Sequence, residues 1–374
     1  MPASTTPPGE NSPRVLILWA NESNPNLGVR TLALGARALA ERAWPGCETR
    51  FQGTGGHGEG GNDGPMPLTI PRSILKEAVL RKRGLRAWFK SFDIILDTRA
   101  GDSFADIYTL SYLILMSTAP FYAMALGVPL VMTPQTIGPF SSRRARLLAA
   151  QTLSRARAVM VRDDQSTDAV RRLANREPIQ STDVAFALPR PPRSEQYDVL
   201  LNVSGLLWVE NPHVDHLAYR QTVLDIIDGL ESRGRSITLF DHVLGNGALD
   251  NDSYASGQIN EARSEMLPVI APRTIDEVRA STASARLVIG ARMHASLNAL
   301  STGTPAIPIA YSRKFAPLFE PLGWTHTVDL RHGSDHAERV LAASELDLDA
   351  QVETVLDNAD RALERAVLAL RNAL

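Results

Sequence analysis

The sequence has almost no cysteine: Cys47 stands alone. That excludes an internal disulfide and a cysteine-rich metal centre, and it fits a reducing compartment. Nothing around Cys47 suggests a thiol nucleophile. An excess of one charge is also missing. The 39 Lys and Arg nearly balance the 41 Asp and Glu, for a formal net charge of −2, so a polyanion such as nucleic acid is not an expected partner. A phosphate loop is missing too. Gly53 to Gly64 (GTGGHGEGGNDG) is glycine-rich, but it has no G-K-[ST] ending and no G-x-G-x-x-G opening a helix. It reads as a surface loop containing His57, with a lid over bound ligand as the alternative. An unbroken membrane-length apolar run is absent as well. Leu110 to Met132 is long and uncharged, yet Pro120, Gly127 and Pro129 interrupt it. It reads as a buried helix, a turn at Gly127 and a buried strand over Pro129–Thr133. The opening MPASTTPPGENSP lacks the basic start and apolar core of a signal peptide. Residues 1–13 are therefore expected to be a disordered tail, and the protein is expected in the cytoplasm.

What is present is strand–turn–helix alternation. At ~100–200 residues per domain, 374 residues predict two domains. A hydrophobic content of 44% with 21% charge is that of a soluble globular protein. Arg14–Ala20 is an apolar strand, followed by the polar turn Asn21–Gly28 and an Ala/Leu-rich helix over Thr31–Trp44. Cys47–Gln52, Asp93–Thr98 and Ala158–Val161 are further strands. RAGDSFADIY follows the strand at Thr98, PQTIGPFSSRR the one at Thr133, and RDDQS the one at Val161. Apolar strands that each end in a polar turn before a helix imply a parallel sheet covered on both faces. Such sheets bind ligands beyond the strands' carboxyl ends. Ile74–Phe92 reads as one amphipathic helix carrying Lys76, Arg81, Lys82, Arg83 and Arg86. Its basic face is either solvated or set against an anionic surface. Pro189–Arg193 (PRPPR) is a linker, after which the pattern restarts with strands over Asp198–Ser204 and Ser236–Phe240. Helices follow over Leu217–Arg233, Thr274–Ser284, Lys314–Pro321 and Leu348–Leu374. The expected fold class is α/β with two Rossmann-like domains, a layout that resembles the GT-B-like glycosyltransferase architecture, in which two such domains face each other across a cleft. The expected domains are residues 14–188 and 197–374, joined by 189–196, with the last helix packing back on the first domain.

The chain is organised around Ala285–Tyr311. Arg286–Ile289 is a buried strand and Gly290 stops it. Met293, Leu297 and Leu300 recur at helical spacing, Gly303 and Pro305 end the helix, and Ala306–Ala310 is a second strand. The first turn carries Arg292 and His294 at a helix N-terminus, where free N–H groups and the dipole favour an anion. Arginine adds a planar fork suited to carboxylate or phosphate, and histidine titrates near neutral pH. The plainer alternative is that Arg292 pairs with a protein carboxylate and His294 is a satisfied, half-buried side chain.

TPQTIGPF (Thr133–Phe140), VRDDQS (Val161–Ser166), TDVAFAL (Thr182–Leu188) and VIGARMHASLNALSTGTPAIPIAYSRK (Val288–Lys314) resemble the polysaccharide pyruvyl transferases in order and spacing. AGDSFADIY (Ala100–Tyr108) resembles that family's acidic turn. The likeness covers most of residues 14 to 330. It implies transfer of pyruvate from phosphoenolpyruvate to a sugar of a polysaccharide or glycolipid precursor, forming a ketal and releasing phosphate. It implies no metal and no tightly held cofactor. By the same resemblance Arg292 grips phosphoenolpyruvate. A donor with a phosphate and a carboxylate needs a second cation, for which Arg162, just past the strand AVMV, is the candidate; Lys314 is a candidate for further phosphate contact, with an ordinary exposed charge as the alternative. Ketal formation needs a group that gives and takes protons near pH 7, for which His294 is the candidate; Asp102 or Asp106 is the candidate to accept the hydroxyl proton or hold the sugar, with helix capping as the alternative for both. Asn26, Gln135 and Asp102 fall on the acceptor side, where a sugar or lipid-linked oligosaccharide is expected. Asp163 and Asp164 have capping as their alternative, and Asp183 is expected to be structural. Two departures lie in the first domain. Asn26–Val29 lacks the aspartate of the family's usual N-x-G-D, and Arg99-Ala100-Gly101 stands where a glycine pair is common. Two other classes stay open. One is a glycosyltransferase of the same architecture using a nucleotide sugar, with Glu277 or Glu320 as its acidic residue. The other is a non-catalytic sugar- or anion-binding relative. The basic helix allows peripheral contact with the inner face of the membrane.

Overall fold

A computed structural model describes residues 12–24, 26–55, 62–244 and 250–374. Most of the expected tail, His57 and the middle of the Gly53–Gly64 loop, with its lid alternative, lie outside the described residues. The rest forms two compact units: residues 12–24, 32–187 and 361–374 in one, and residues 26–31 and 188–360 in the other.

The first unit is a parallel sheet of β1 (Arg14–Leu18), β2 (Glu48–Gln52), β3 (Ile94–Asp97), β4 (Leu130–Gln135), β5 (Ala158–Val161) and β6 (Ile179–Gln180). The spatial order is β2-β1-β3-β4-β5-β6. β3, β4 and β5 are buried at every residue, as continuous apolar strands covered on both faces should be. The strand order reverses between β1 and β3. α1 (Leu27–Ala43) starts a turn earlier than expected, because Asn26 Oδ1 accepts from the Gly28 amide (2.9 Å) and organises the preceding turn. The expected single helix over Ile74–Phe92 is two: α2 (Pro71–Leu80) and α3 (Leu85–Lys90). Arg81 and Gly84 take φ of 53° and 77°. The Glu77 carboxylate accepts from the Lys82 (3.0 Å) and Arg83 (2.8 Å) amides, which fixes the break. α4 (Leu110–Ala125) is capped by Thr109, whose Oγ1 accepts from the Tyr112 amide (3.1 Å), so neither Asp102 nor Asp106 is its cap. Gly127 turns at φ 83° into β4. Among the described residues, no helix is long and apolar enough to cross a membrane. α5 (Arg143–Arg155) and α6 (Asp164–Ala174) complete this layer. Asp163 caps α6, its Oδ1 accepting from the Ser166 amide (2.7 Å).

The second unit contains β7 (Tyr197–Asn202), α7 (Gly205–Trp208), α8 (His216–Ser232), β8 (Ile237–Phe240), α9 (Asp252–Glu261), β9 (Val269–Ile270) and α10 (Ile275–Ala283). Then come β10 (Ala285–Gly290), α11 (Met293–Ser301), β11 (Ala306–Ala310), α12 (Ala316–Phe319), β12 (Val328–Asp329), α13 (His336–Ala343) and the start of α14 (Asp349–Arg371). Its parallel sheet runs β12-β11-β10-β7-β8-β9. The first and fourth strands of the unit, β7 and β10, are therefore neighbours, with Asn202 opposite Gly290. This is the topological switch point, where open α/β sheets place ligands. The end of α14 groups with the first unit. There Arg365 Nε donates to Gln180 O (2.9 Å) and Arg371 Nη2 to Arg42 O (3.0 Å).

Candidate functional site

At the switch point of the second unit, the end of β10 delivers Arg292 to the N-cap of α11. Its amide donates to Asn202 Oδ1 (2.8 Å) at the end of β7. The guanidinium Nε and Nη2 both donate to Asp252 Oδ1 (3.1 and 2.7 Å), and Nη2 also pairs with Asp250. The two carboxylates are not equivalent. Asp252 is fully buried, while the Asp250 side chain is 36% exposed. Asp252 also accepts from Gly205 N (3.0 Å), His242 N (3.1 Å), Val243 N (3.0 Å) and Asn202 Nδ2 (3.2 Å), so one carboxylate ties together the ends of β7, β8 and β10. Burial alone would lower the Arg292 pKa. Asp252 and Asp250 outweigh it and hold the guanidinium above its ordinary value.

His294 is the second residue of α11 and is half-buried. A Cβ on Gly28 would lie 2.9 Å from its Nδ1, so the glycine permits an approach that any side chain would block. Asn26, two residues before Gly28, was expected on the acceptor side. Both residues group with the second unit, where Asn26 bridges to Val243. One residue before Val243 stands His242, which no sequence motif singled out. It is buried, and desolvation, with His294 nearby as a second cause, pushes its pKa down to about 3. It is neutral at pH 7. Its Nε2 has no hydrogen-bond partner among the described residues, and neither do Ser204 Oγ, Trp208 Nε1 or Ser296 Oγ. Buried polar atoms are rarely left this way. All four belong to the segments that leave the carboxyl ends of β7, β8 and β10, which marks that edge as suited to a polar ligand. Lys314 lies past the end of β11 and is partly exposed.

The first unit presents a second polar edge. Arg162 follows β5 but is buried and paired with Asp183, and its Nη2 donates to Gly101 O (3.0 Å). Asp183 thus meets the charge expected to serve as a second free cation. Asp106 accepts from the Ser141 amide (2.8 Å), the Ser141 hydroxyl (2.9 Å) and the Ser142 amide (2.9 Å). Partial burial pushes its carboxyl up, but the Ser142 and Ser141 donors outweigh it and hold the pKa below the usual range. Asp102 accepts from the exposed Tyr108 hydroxyl (3.1 Å). Gln135 ends β4. Its Nε2 donates to Asp97 O (2.7 Å) and Thr133 O (3.2 Å), while its Oε1 has no partner among the described residues. Arg99 and Ala100, at the glycine-pair position, both have positive φ (44° and 47°), so the turn keeps a conformation that favours glycine. Arg99 is buried against Asp97 (2.8 Å) and lies over the Phe104 ring at 4.6 Å. In the second unit, Glu277 Oε2 accepts from the Arg273 amide (2.7 Å) beside the Thr274 cap, a helix-start role.

Residues 60–313 match the sequence model of the polysaccharide pyruvyl transferase family. By structure the chain is similar to the UDP-GlcNAc 2-epimerase of Methanocaldococcus jannaschii, solved with UDP-GlcNAc and UDP. That pair has 12% identity and a TM-score of 0.56, over 96% of this chain and 99% of that one. It is similar to the S. aureus MnaA–UDP structure, with 12% identity and a TM-score of 0.58 over 96% of each chain. It is also similar to a glycosyltransferase of Rickettsia africae ESF-5, with 9% identity and a TM-score of 0.55 over 97% and 99%. At these identities the likeness shows the two-domain Rossmann-like fold of GT-B-type enzymes and nothing finer. No curated protein matches the sequence.

Proposed function

The chain belongs to the polysaccharide pyruvyl transferase family, and on that premise we propose that it transfers pyruvate from phosphoenolpyruvate to two hydroxyls of one sugar, forming a cyclic ketal. The reading is carried by the asymmetry at Arg292. Buried Asp252 fixes the inner side of the guanidinium fork, while its outer partner, Asp250, is within reach of solvent. In this proposal a carboxylate or phosphate of the donor replaces Asp250, and Lys314 and the first-turn amides of α11 add to the hold. His294 delivers a proton to the methylene carbon as a sugar hydroxyl adds to C2. The C2–O bond to phosphate breaks, and a second hydroxyl closes the ketal. Of the two hydroxyl protons, one restores His294 and the other leaves with phosphate. Neutral His242 offers its Nε2 to the bound donor. Asp106, committed to Ser141 and Ser142, holds the turn.

A nucleotide-sugar transferase is the second reading, supported by neighbours of this fold whose structures contain UDP. Calorimetric titration separates the two. Phosphoenolpyruvate is expected to bind the wild-type protein without added metal and to bind Arg292→Ala ten- to hundredfold more weakly, about 1.5–3 kcal/mol for a charge-assisted pairing. Arg292→Lys, which keeps a cation beside Asp252, is expected to fall between them and guards against misfolding of the alanine variant. Binding of a UDP-sugar with none of phosphoenolpyruvate would replace this proposal with the second reading.

A further inference from the structure

We propose that α2 and the turn after it form a docking surface for an anionic lipid bilayer, an interaction beyond the reaction proposed above. The helix buries Ile74 and Glu77 and turns other apolar residues outward. Leu75 is 62% and Val79 79% exposed, and Ile70 and Leu80 are exposed as well. Leu75 and Val79 are four residues apart and therefore share one strip of the helix. Arg72 and Lys76, with the same spacing, run beside it. The αL residue Arg81 ends the helix, and Arg81, Lys82 and Arg83 follow it, all exposed. From 72 to 90 the chain carries seven basic residues, Arg86 and Lys90 completing the set, against one acid, Glu77. That acid is buried on the Lys82 and Arg83 amides. None of the seven cations forms an ion pair with a described residue. Exposed arginines elsewhere do so, as in Arg171–Glu177 and Arg286–Glu195.

Leu75 and Val79 are not scattered single residues: they share one exposed strip of α2, and Ile70 and Leu80 at its two ends are exposed as well. A chain of net charge −2 would not be expected to gather unpaired cations around them by composition alone. Apolar side chains flanked by Lys and Arg match the two layers of an anionic interface: the acyl boundary takes the first and the headgroups take the second. Charge complementarity with phosphate-bearing headgroups therefore selects the bilayer as the occupant.

Co-sedimentation of the full chain with phosphatidylcholine vesicles, with and without phosphatidylglycerol, tests this. Binding is expected with phosphatidylglycerol, and added salt should weaken it. The double variants Leu75→Glu/Val79→Glu and Lys82→Glu/Arg83→Glu should each reduce the partition by about tenfold or more. All four positions are exposed, and unchanged thermal unfolding confirms that the variants fold. The phosphoenolpyruvate titration should be unaffected, so failure here is distinct from failure of the proposed reaction. No sedimentation with anionic vesicles, equal sedimentation with phosphatidylcholine alone, or unchanged binding in both variants would each overturn the proposal.

Discussion

His242 combines deep burial with a ring nitrogen that no described residue meets, and this has a measurable consequence. Its folded pKa is about 3 against an ordinary 6.5, owing to burial and then to His294, with Arg292 acting in the same direction and Asp252 against it. Between those values the unfolded chain binds a proton that the folded chain refuses, so this group makes stability fall as pH drops below 6.5. The slope approaches about 1.4 kcal/mol per pH unit. Urea unfolding at pH 7 and pH 5 should therefore show a smaller acid loss in His242→Phe than in wild type; equal losses would contradict the burial. Arg292 and His294 were legible in the sequence because a strand, a glycine stop and a helical apolar period frame them. His242 was not, being a lone histidine outside any motif. Asp252 meets Arg292 across 40 positions of sequence, a separation that local spacing does not reveal.

The elements were legible where apolar periodicity was strong. Strands β1, β3, β5, β8 and β10 lie within a residue or two of their expected bounds, because buried parallel strands are continuous apolar runs. α9 was not expected. Its segment Asp252–Glu261 (DSYASGQINE) is rich in Ser, Asp, Asn and Gly, weak helix formers that read as loop. Burial of Ala255 and Ile259, and the hydrogen bonds that the Ser253 and Ser256 hydroxyls donate to Asp241 (2.6 Å each), override that weakness. The break between α2 and α3 was hidden because the basic, amphipathic pattern runs through it. Gly84 there has φ 77°, and a Cβ added to it would meet nothing within 4 Å. Gly84→Ala should therefore cost about 1–2 kcal/mol from backbone strain alone, measurable by chemical denaturation. No loss would mean that the turn relaxes to negative φ.

At the scale of the molecule, two Rossmann-like units follow from two rounds of strand–helix alternation around Pro189–Arg193. Their membership is less simple than the linker suggests, since α1 and α14 each divide between the units. A continuous helical pattern carries no signal of such a division. Leu363 and Leu370 of α14 are fully buried, in the part that groups with the first unit. Leu370→Ala should destabilise that unit by about 2–5 kcal/mol and lower its thermal midpoint. An unchanged midpoint would mean that the helix end contributes nothing to the unit.

The central claim is that an anionic donor displaces Asp250 from the outer side of Arg292. Its most direct test is the order of phosphoenolpyruvate affinities in Asp250→Asn, wild type and Arg292→Lys, at one pH and salt concentration. Removing the competing carboxylate should tighten binding by about tenfold, while loss of the planar fork should weaken it by a similar factor. The predicted order is therefore Asp250→Asn above wild type above Arg292→Lys. Weaker binding in Asp250→Asn, or three equal affinities, would contradict the account.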